Sequence, residues 1–497
     1  MKLVDKHKAP LLIFCLQNKI LRNLIDMSIC DSGIKHKWLE GGLVNITIEN
    51  NHPLIKLANI LPWGEIFNLV LPDLKKTAKG QWHKGRKLKT RIHLGVFLLQ
   101  QFYNKTDRQI EYDVKDNAAF QLFCGKEIVA NWHFPDHTKI EEFRSKLSAS
   151  VQRELANLIA CNAVKVGLAD PKHCDIDSTI QAANISHPSK AGILTKIACA
   201  AKKVADFLKE NVLQPIEITT SGLKFFDLKK IKGIYKEYIF TKKKLDPSEV
   251  KEKLKILFQA ILEPVATVIK ISNKLWNFQE DKLPWNIKAT IKQLTHVGWE
   301  YIKKIGDELY LKKKALDLPL ALHVKEVACF SKNKQHTKKY QFGRAYQLTR
   351  IKGNFILVGE CTNVRMNDKE SLAPLLLEYK QYFPEQNIQS LTTDRGYYST
   401  ANEQLLIKNG VQEKGLARPV NIKKEKLHTE ETLEKLANRR AGIEPLIGHI
   451  KRGGQLGRSR MKKDQSTLAS GYTAVLGFNL RQTKHYLTGK HKIQKVA

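Results

Sequence analysis

Arg440, Glu444, Gly448 and Lys451 fall on one stripe when residues 438–458, NRRAGIEPLIGHIKRGGQLGR, are wound into a helix at about 100° per residue. Ile443, Leu446, Ile447 and Ile450 form an apolar stripe about a quarter-turn away, suited to a core. The cations of the first stripe suit a polyanion, and the bare backbone at Gly448 lets another chain or a metal ion approach closely. The same spacing also serves an exposed salt-bridged face, since Arg440 and Glu444 are an (i, i+4) pair. Pro445 directly follows Glu444, and a proline inside a helix predicts a kink there.

Two more stretches carry acids with chemical potential. KHCDIDSTI, residues 172–180, alternates with β-branched residues and reads as a strand whose Asp175 and Asp177 share a face. Paired acids on an otherwise buried strand are costly unless a metal or cation meets them. His173 and His187 are metal ligands by type, although histidines near strand ends more often have structural roles. IQSLTTDRGYYS, residues 388–399, reads as a strand rising into Asp394 and turning through Gly396 into a helix that ends near Gly410. An acid at the carboxyl end of such a strand sits where open α/β sheets place their ligands.

The spacing Arg440, three residues, Glu444, six residues, Lys451 resembles the Arg-Glu-Lys part of a signature of bacterial insertion-sequence transposases of the DDE class, whose core is similar to that of retroviral integrases. The tyrosine that often stands three residues before the arginine is replaced by Ala437. GIEPLIGHIKRGGQLGRSRMKKD resembles the C-terminal motif of one branch of the family. Asp-Ser-Thr separated by eight residues from Pro188 resembles the first-acid strand and selects Asp177 over Asp175, and D-R-G-Y-Y resembles the second-acid motif.

The resemblance implies an α/β, ribonuclease-H-like mixed sheet preceded by an all-helical domain and interrupted by a large helical insertion after the first core strand. It implies catalytic, metal-binding acids Asp177, Asp394 and Glu444 holding two Mg²⁺ ions, or Mn²⁺. It implies DNA contacts from Arg440, Lys451, Arg395, Arg452 and Arg458, and from Tyr397, for which plain packing is the alternative. The implied reaction is cleavage of insertion-sequence ends and joining of their 3′-hydroxyls to target DNA. The implied partners are double-stranded element ends and target DNA, with a homodimer in the active complex. A nuclease of the same fold that cuts without joining, or a non-catalytic DNA-binding derivative, would use much of the same sequence.

The rest of the chain agrees with a nucleic-acid protein. Lys and Arg number 84 against 49 Asp and Glu, a net charge of +35 that calls for a polyanionic partner. No apolar run approaches the roughly 20 residues that cross a bilayer. LLIFCL near the start is too short for a signal segment. The eight cysteines are scattered without a C-x-x-C pair, as free thiols in a reducing compartment, and the expected place is the bacterial cytoplasm at the nucleoid.

Along the chain, residues 1–165 read as an N-terminal helical region for DNA binding or dimerisation, although the role of the first 45 stays open. The basic run KGQWHKGRKLKTR, residues 79–91, is a linker or a DNA-backbone contact. Thr106, and Asp136 or Thr138, read as helix caps, and P-D-x-T-x-x-x-x-F-R resembles the helical region that accompanies many insertion-sequence transposases. Residues 166–190 begin the core, 191–315 form a lysine-rich helical insertion, 316–488 complete the core, and 489–497 are a basic tail. Trp276, Trp285 and Trp299 are expected in the insertion's core. ALHVKEVACFSK, YQFGRAYQLTR and NFILVGECTNV read as three strands before a helix opened by Asn367-Asp368.

Overall fold

A computed structural model describes residues 35–39, 42–46, 48–75, 90–125, 134–211, 226–279, 283–331, 340–361, 365, 367–418 and 428–490. The basic run 79–91, apart from its last two residues, and the tail beyond residue 490 lie outside them. The described chain is a mixed α/β protein that divides into two compact units. The first comprises residues 1–182, 344–461 and 465–497; the second comprises residues 183–343 and 462–464.

The first unit opens with a two-stranded antiparallel pair, β1 (Lys35–Leu39) and β2 (Gly42–Ile46). Seven helices follow: α1 (Pro53–Ile60), α2 (Trp63–Lys75), α3 (Thr90–Tyr103), α4 (Asp107–Asp116), α5 (Ala118–Phe123), α6 (His137–Lys146) and α7 (Ala149–Lys165). The expected caps are in place. Thr106 and Gln109 close a capping box at the start of α4, and the Asp136 carboxylate accepts from the Lys139 backbone N–H at 2.9 Å.

β3 (Asp170–Ala182) then leads into the second unit. Its helices are α8 (Lys190–Asn211), α9 (Leu228–Thr241), α10 (Pro247–Gln279), α11 (Trp285–Lys292) and α12 (Trp299–Tyr310), the last two joined by a π-helical turn. They bury their own core of Leu257, Ile261, Val265, Ile197 and Tyr301. The expected tryptophan core is not found. Trp285 and Trp299 are 71 % and 38 % exposed, and the Trp276 side chain lies outside the described residues. Trp285 is the first residue of its helix, set after Pro284 with a free outer face, and Lys463 lies 5.3 Å over its ring. The strand expected over ALHVKEVACFSK is confined to β4 (Ala328–Ser331), which pairs antiparallel with the first residues of β5 (Tyr340–Lys352). Just before it the backbone is committed elsewhere: the Glu326 N–H donates to the Asp464 carboxylate at 3.0 Å.

β5 carries the chain back into the first unit, followed by β6 (Phe355–Val358), α13 (Asp368–Tyr382), β7 (Ser390–Thr393), α14 (Thr400–Lys408), β8 (Glu413–Leu416), α15 (Glu430–Ala441), α16 (Ile443–Gly453) and α17 (Asp464–Leu487). In this unit the sheet order is β6-β5-β3-β7-β8. β6 is antiparallel to β5, and β7 is parallel to both β3 and β8. Alternation separates two cores. Cys174, Ile176, Phe355 and Leu357 join Leu372, Tyr379 and Leu406, whereas Leu348, Ile356 and Val358 join the N-terminal helices with α16 and α17. The free edge of β6 is closed by two buried asparagines. Asn157 pairs with the N–H and C=O of Val358, and Asn479 with those of Ile356, at 2.8–3.1 Å.

Candidate active site

β3 turns Cys174 and Ile176 into a core, so the alternate residues Asp175 and Asp177 take the opposite face. Its parallel partner is in register, with Asp175 beside Thr392 and Ile176 beside Thr393. One residue further along, Asp177 and Asp394 therefore stand level, Asp394 at the carboxyl end of β7 where a 3₁₀ turn, Arg395–Tyr397, begins. Asp394 accepts from the Arg395 backbone N–H at 2.7 Å and Asp177 from that of Ser178 at 2.8 Å, which aims each carboxylate.

Glu444 comes from the first turn of α16. The expected kink at Glu444–Pro445 falls instead at Gly442, which divides α15 from α16. Pro445 thus stands in the first turn of a helix, where its missing N–H costs nothing. Glycine at 442 has a physical cause. A Cβ there would stand 2.4 Å from the Arg350 guanidinium and 3.1 Å from the Arg439 carbonyl.

Arg440, in the last turn of α15, meets all three acids. Its Nη2 lies 3.8 Å from Asp177 Oδ2, 3.7 Å from Asp394 Oδ1 and 3.6 Å from Glu444 Oε1. The three carboxylates, hundreds of residues apart in part, are gathered around one guanidinium nitrogen. Exposure rises across the cluster: the Asp177 side chain is 15 % exposed, Asp394 49 % and Glu444 65 %, so the group opens to solvent on the α16 side.

Beside this cluster lies a buried one that sequence reasoning missed. The Asp175 side chain is 5 % exposed; its carboxylate accepts from Thr392 Oγ1 at 2.6 Å and Arg439 Nε at 2.8 Å, with Arg350 Nη1 at 3.5 Å. Arg439 also donates to Ser390 Oγ at 2.6 Å and the Cys174 carbonyl at 3.2 Å, and Arg350 donates to the Arg439 carbonyl at 3.0 Å. Strands β3, β5 and β7 are thereby tied to α15. The two acids of β3 meet neighbouring arginines of one helix, Asp175 with Arg439 and Asp177 with Arg440. The only signal for this in the sequence was the doublet Arg439-Arg440 against the pair Asp175-x-Asp177.

Burial pushes the Asp177 carboxyl up to about 6; the Ser178 N–H and Arg440 oppose that rise, and Asp394 and Asp368 add to it. Asp368, at the start of α13, is a fourth acid near the site; it accepts from Gln347 Nε2 at 3.1 Å. Tyr397, expected beside DNA, is instead fully buried, and its hydroxyl donates to Gln347. It is interior because the 3₁₀ turn folds it under Asp394, where the Asn402 amide holds its carbonyl at 2.7 Å. A folded carboxyl raised above its unfolded value holds its proton longer in the native state. Metal-free stability should therefore fall as pH rises from about 4 to 6, by roughly 2–3 kcal/mol at most. Asp177→Asn is expected to raise the metal-free urea midpoint at pH 7 and to leave it unchanged at pH 4. Parallel profiles for the two proteins would contradict this.

Two of the implied DNA-contact residues adjoin the acids in the chain: Arg395 follows Asp394, and Lys451 lies two turns after Glu444 on α16. Arg395 and Arg452 are exposed and Lys451 is half-buried. Arg458, also exposed, forms a bridge with Ala182, and the Ser459 N–H donates to the Ala182 carbonyl at 2.9 Å, which fastens this loop to the end of β3. At Gly448 a Cβ would meet only the Arg452 guanidinium, at 3.8 Å, so packing within the chain makes no demand for glycine there.

Three carboxylates are hard oxygen donors that suit a divalent cation such as Mg²⁺ or Mn²⁺. As they stand, no group of three or more His, Cys, Asp or Glu side chains among the described residues is arranged to hold a metal ion. The Arg440 guanidinium stands among the three, its Nη2 3.6–3.8 Å from each. In the second unit, the His187 ring packs edge-on against Phe342 at 5.2 Å. Among the described residues no single helix is long and apolar enough to cross a membrane.

Comparison with known proteins gives two family matches. Residues 44–146 match the model described as Transposase domain (DUF772), and residues 321–480 match that described as Transposase DDE domain. The second stretch contains Asp394 and Glu444, while Asp177 lies outside both. The chain is also similar to an uncharacterized protein, ORF8 in the nfe locus, of Rhizobium meliloti, with 23 % identity over 155 residues, or 30 % of this chain and 70 % of that one. No solved structure matches.

Proposed function

The chain belongs to the DDE-class transposases of insertion sequences, and on that premise we propose that Asp177, Asp394 and Glu444 are the metal-binding acids of its phosphoryl-transfer site. The observation that carries this is the approach of one nitrogen, Arg440 Nη2, to within 3.6–3.8 Å of all three carboxylates. The sheet order β6-β5-β3-β7-β8, in which a first strand is flanked by an antiparallel hairpin on one side and two parallel strands on the other, supports a ribonuclease-H-like core. We read residues 166–190 and 316–488 as that core, 191–315 as its insertion, 489–497 as a basic tail, and 1–165 as the region for DNA-end binding or dimer contacts.

Two bound Mg²⁺ or Mn²⁺ ions would activate the attacking oxygen and steady the leaving one, which lets one site first cut an element end and then join its 3′-hydroxyl to target DNA. The protein's own part is placement. β3 and β7 hold Asp177 and Asp394 level, and α16 brings Glu444 to the open side. Lys451, Arg452, Arg458 and Arg395 are the cations that grip the phosphates flanking the reacting one. No side chain is needed as a covalent nucleophile. A homodimer serves the joining of two ends. The test is Mg²⁺-dependent cleavage of DNA carrying the element's own ends, followed by joining of pre-cleaved ends.

Gly448 gives a sharper check of the DNA path. Because the fold tolerates a Cβ there, Gly448→Ala is expected to stabilise α16 by up to about 1 kcal/mol. The added methyl group meets the incoming backbone, so affinity for element-end DNA should fall about tenfold. Thermal melts and filter binding read the two effects separately; unchanged affinity would remove α16 from the DNA path.

A further inference from the structure

We propose that Arg440 is the resident counter-cation of the acid cluster, holding Asp177, Asp394 and Glu444 together and withdrawing when a divalent ion binds. This rests on the reading of those three acids as metal ligands.

Two neighbouring arginines of α15 behave differently. Arg439 is locked by directed hydrogen bonds, with Nε on Asp175 at 2.8 Å, Nη1 on Ser390 at 2.6 Å and Nη2 on the Cys174 carbonyl at 3.2 Å. Arg440 has no such commitment. Its Nη2 is nearly equidistant from three carboxylates, at 3.6–3.8 Å, and each distance lies beyond hydrogen-bond reach. Its Nε is buried with no hydrogen-bond partner. What holds this guanidinium is therefore summed charge rather than geometry.

Charge is also what a metal ion replaces. Three carboxylates that converge without a cation repel one another, most severely at Asp177, the least exposed. Ligation of Mg²⁺ needs oxygens at about 2.0–2.1 Å from the ion, drawn in around the space the guanidinium fills. The two cations cannot share that space. The arginine has somewhere to go, because its side chain is 25 % exposed and the cluster opens beside Glu444, which is 65 % exposed. Once outside, its planar fork is free to take a DNA phosphate. One residue then serves two stages: assembly of the acids without metal, and grip on DNA with it.

The experiment uses the full-length protein without DNA and Mn²⁺ as the probe, with binding followed by titration calorimetry or by the loss of the free-ion electron paramagnetic resonance signal. Arg440→Gln removes the competing charge and is expected to bind Mn²⁺ at least tenfold more tightly than wild type. In EDTA the variant should melt at a lower temperature than wild type, and Mn²⁺ should raise its melting temperature by more. Arg440→Met, which keeps the stem and drops the charge, repeats the measurement should the glutamine variant fail to fold. Mn²⁺ binding that Asp177→Asn abolishes but Arg440→Gln leaves unchanged or weakens would overturn the exchange alone. No Mn²⁺ binding by folded wild type and folded Arg440→Gln would overturn both the exchange and the metal-site reading on which it rests.

Discussion

Glu444→Gln is expected to lower Mg²⁺-dependent cleavage of element-end DNA about a thousandfold while leaving the protein folded and DNA affinity within about threefold. The substitution keeps the size and hydrogen-bonding shape of the side chain but removes the charge. Glu444 is 65 % exposed, so folding does not depend on its burial, and Arg440 keeps two of its three acids. A metal ion contributes several kcal/mol to a phosphoryl-transfer transition state, and losing about 4 kcal/mol of that is a thousandfold in rate. Asp394→Asn should behave alike, being nearly half exposed on the same opening. Neither change removes a DNA-binding cation, so gel shifts should stay near wild type. The same preparations supply the joining assay. Wild type that cuts element ends but never joins pre-cleaved ones would leave a nuclease of the same fold; Glu444→Gln retaining more than a tenth of cleavage would remove Glu444 from the chemistry.

The convergence of Asp177, Asp394 and Glu444 was anticipated from residue types, spacing and the family resemblance together, and only part of it from local structure. Asp394 directly follows a short strand, Ser390–Thr393, and precedes Gly396, a turn that chain geometry makes visible without a fold. Helix caps at Thr106 and Asp136 are local for the same reason. What escaped the sequence is what depends on pairing between distant segments. Nothing near Asp175 in the chain reveals that Arg350 and Arg439 will close over it, or that Asn157 and Asn479 will seal the edge of β6. For Tyr397 the resemblance implied a DNA contact and plain packing was the alternative; whether a side chain four residues past a strand end faces out or in is set by the turn, which here buries it. Proline at 445 suggested a break at its own position. The break lies at Gly442 instead, a position where the Arg350 guanidinium leaves no room for a side chain.

Asp175→Ala should damage the protein in the opposite way from Glu444→Gln, through folding rather than chemistry. The alanine leaves Arg439 and Arg350 facing each other in a largely buried space with no carboxylate between them. Removing one partner of a buried ion pair costs about 3–5 kcal/mol, since the remaining charge stays desolvated. Thr392 Oγ1 loses its acceptor as well. The loss then reaches the site, because Arg439 anchors the helix turn that also carries Arg440; with that anchor slack, cleavage and metal affinity should fall together. A double-mutant cycle isolates the cause. Asp175→Ala with Arg439→Met should be more stable than the sum of the single losses, by about 1–3 kcal/mol, because the second change removes one stranded charge. Asp175→Asn keeps the shape and accepts from Thr392, and should retain part of the stability. If Asp175 were itself a metal ligand, Asp175→Asn would abolish cleavage at wild-type stability, as Glu444→Gln does. Urea denaturation and cleavage measured on the same two variants decide between a carboxylate that holds a metal and one that holds the helix beside it.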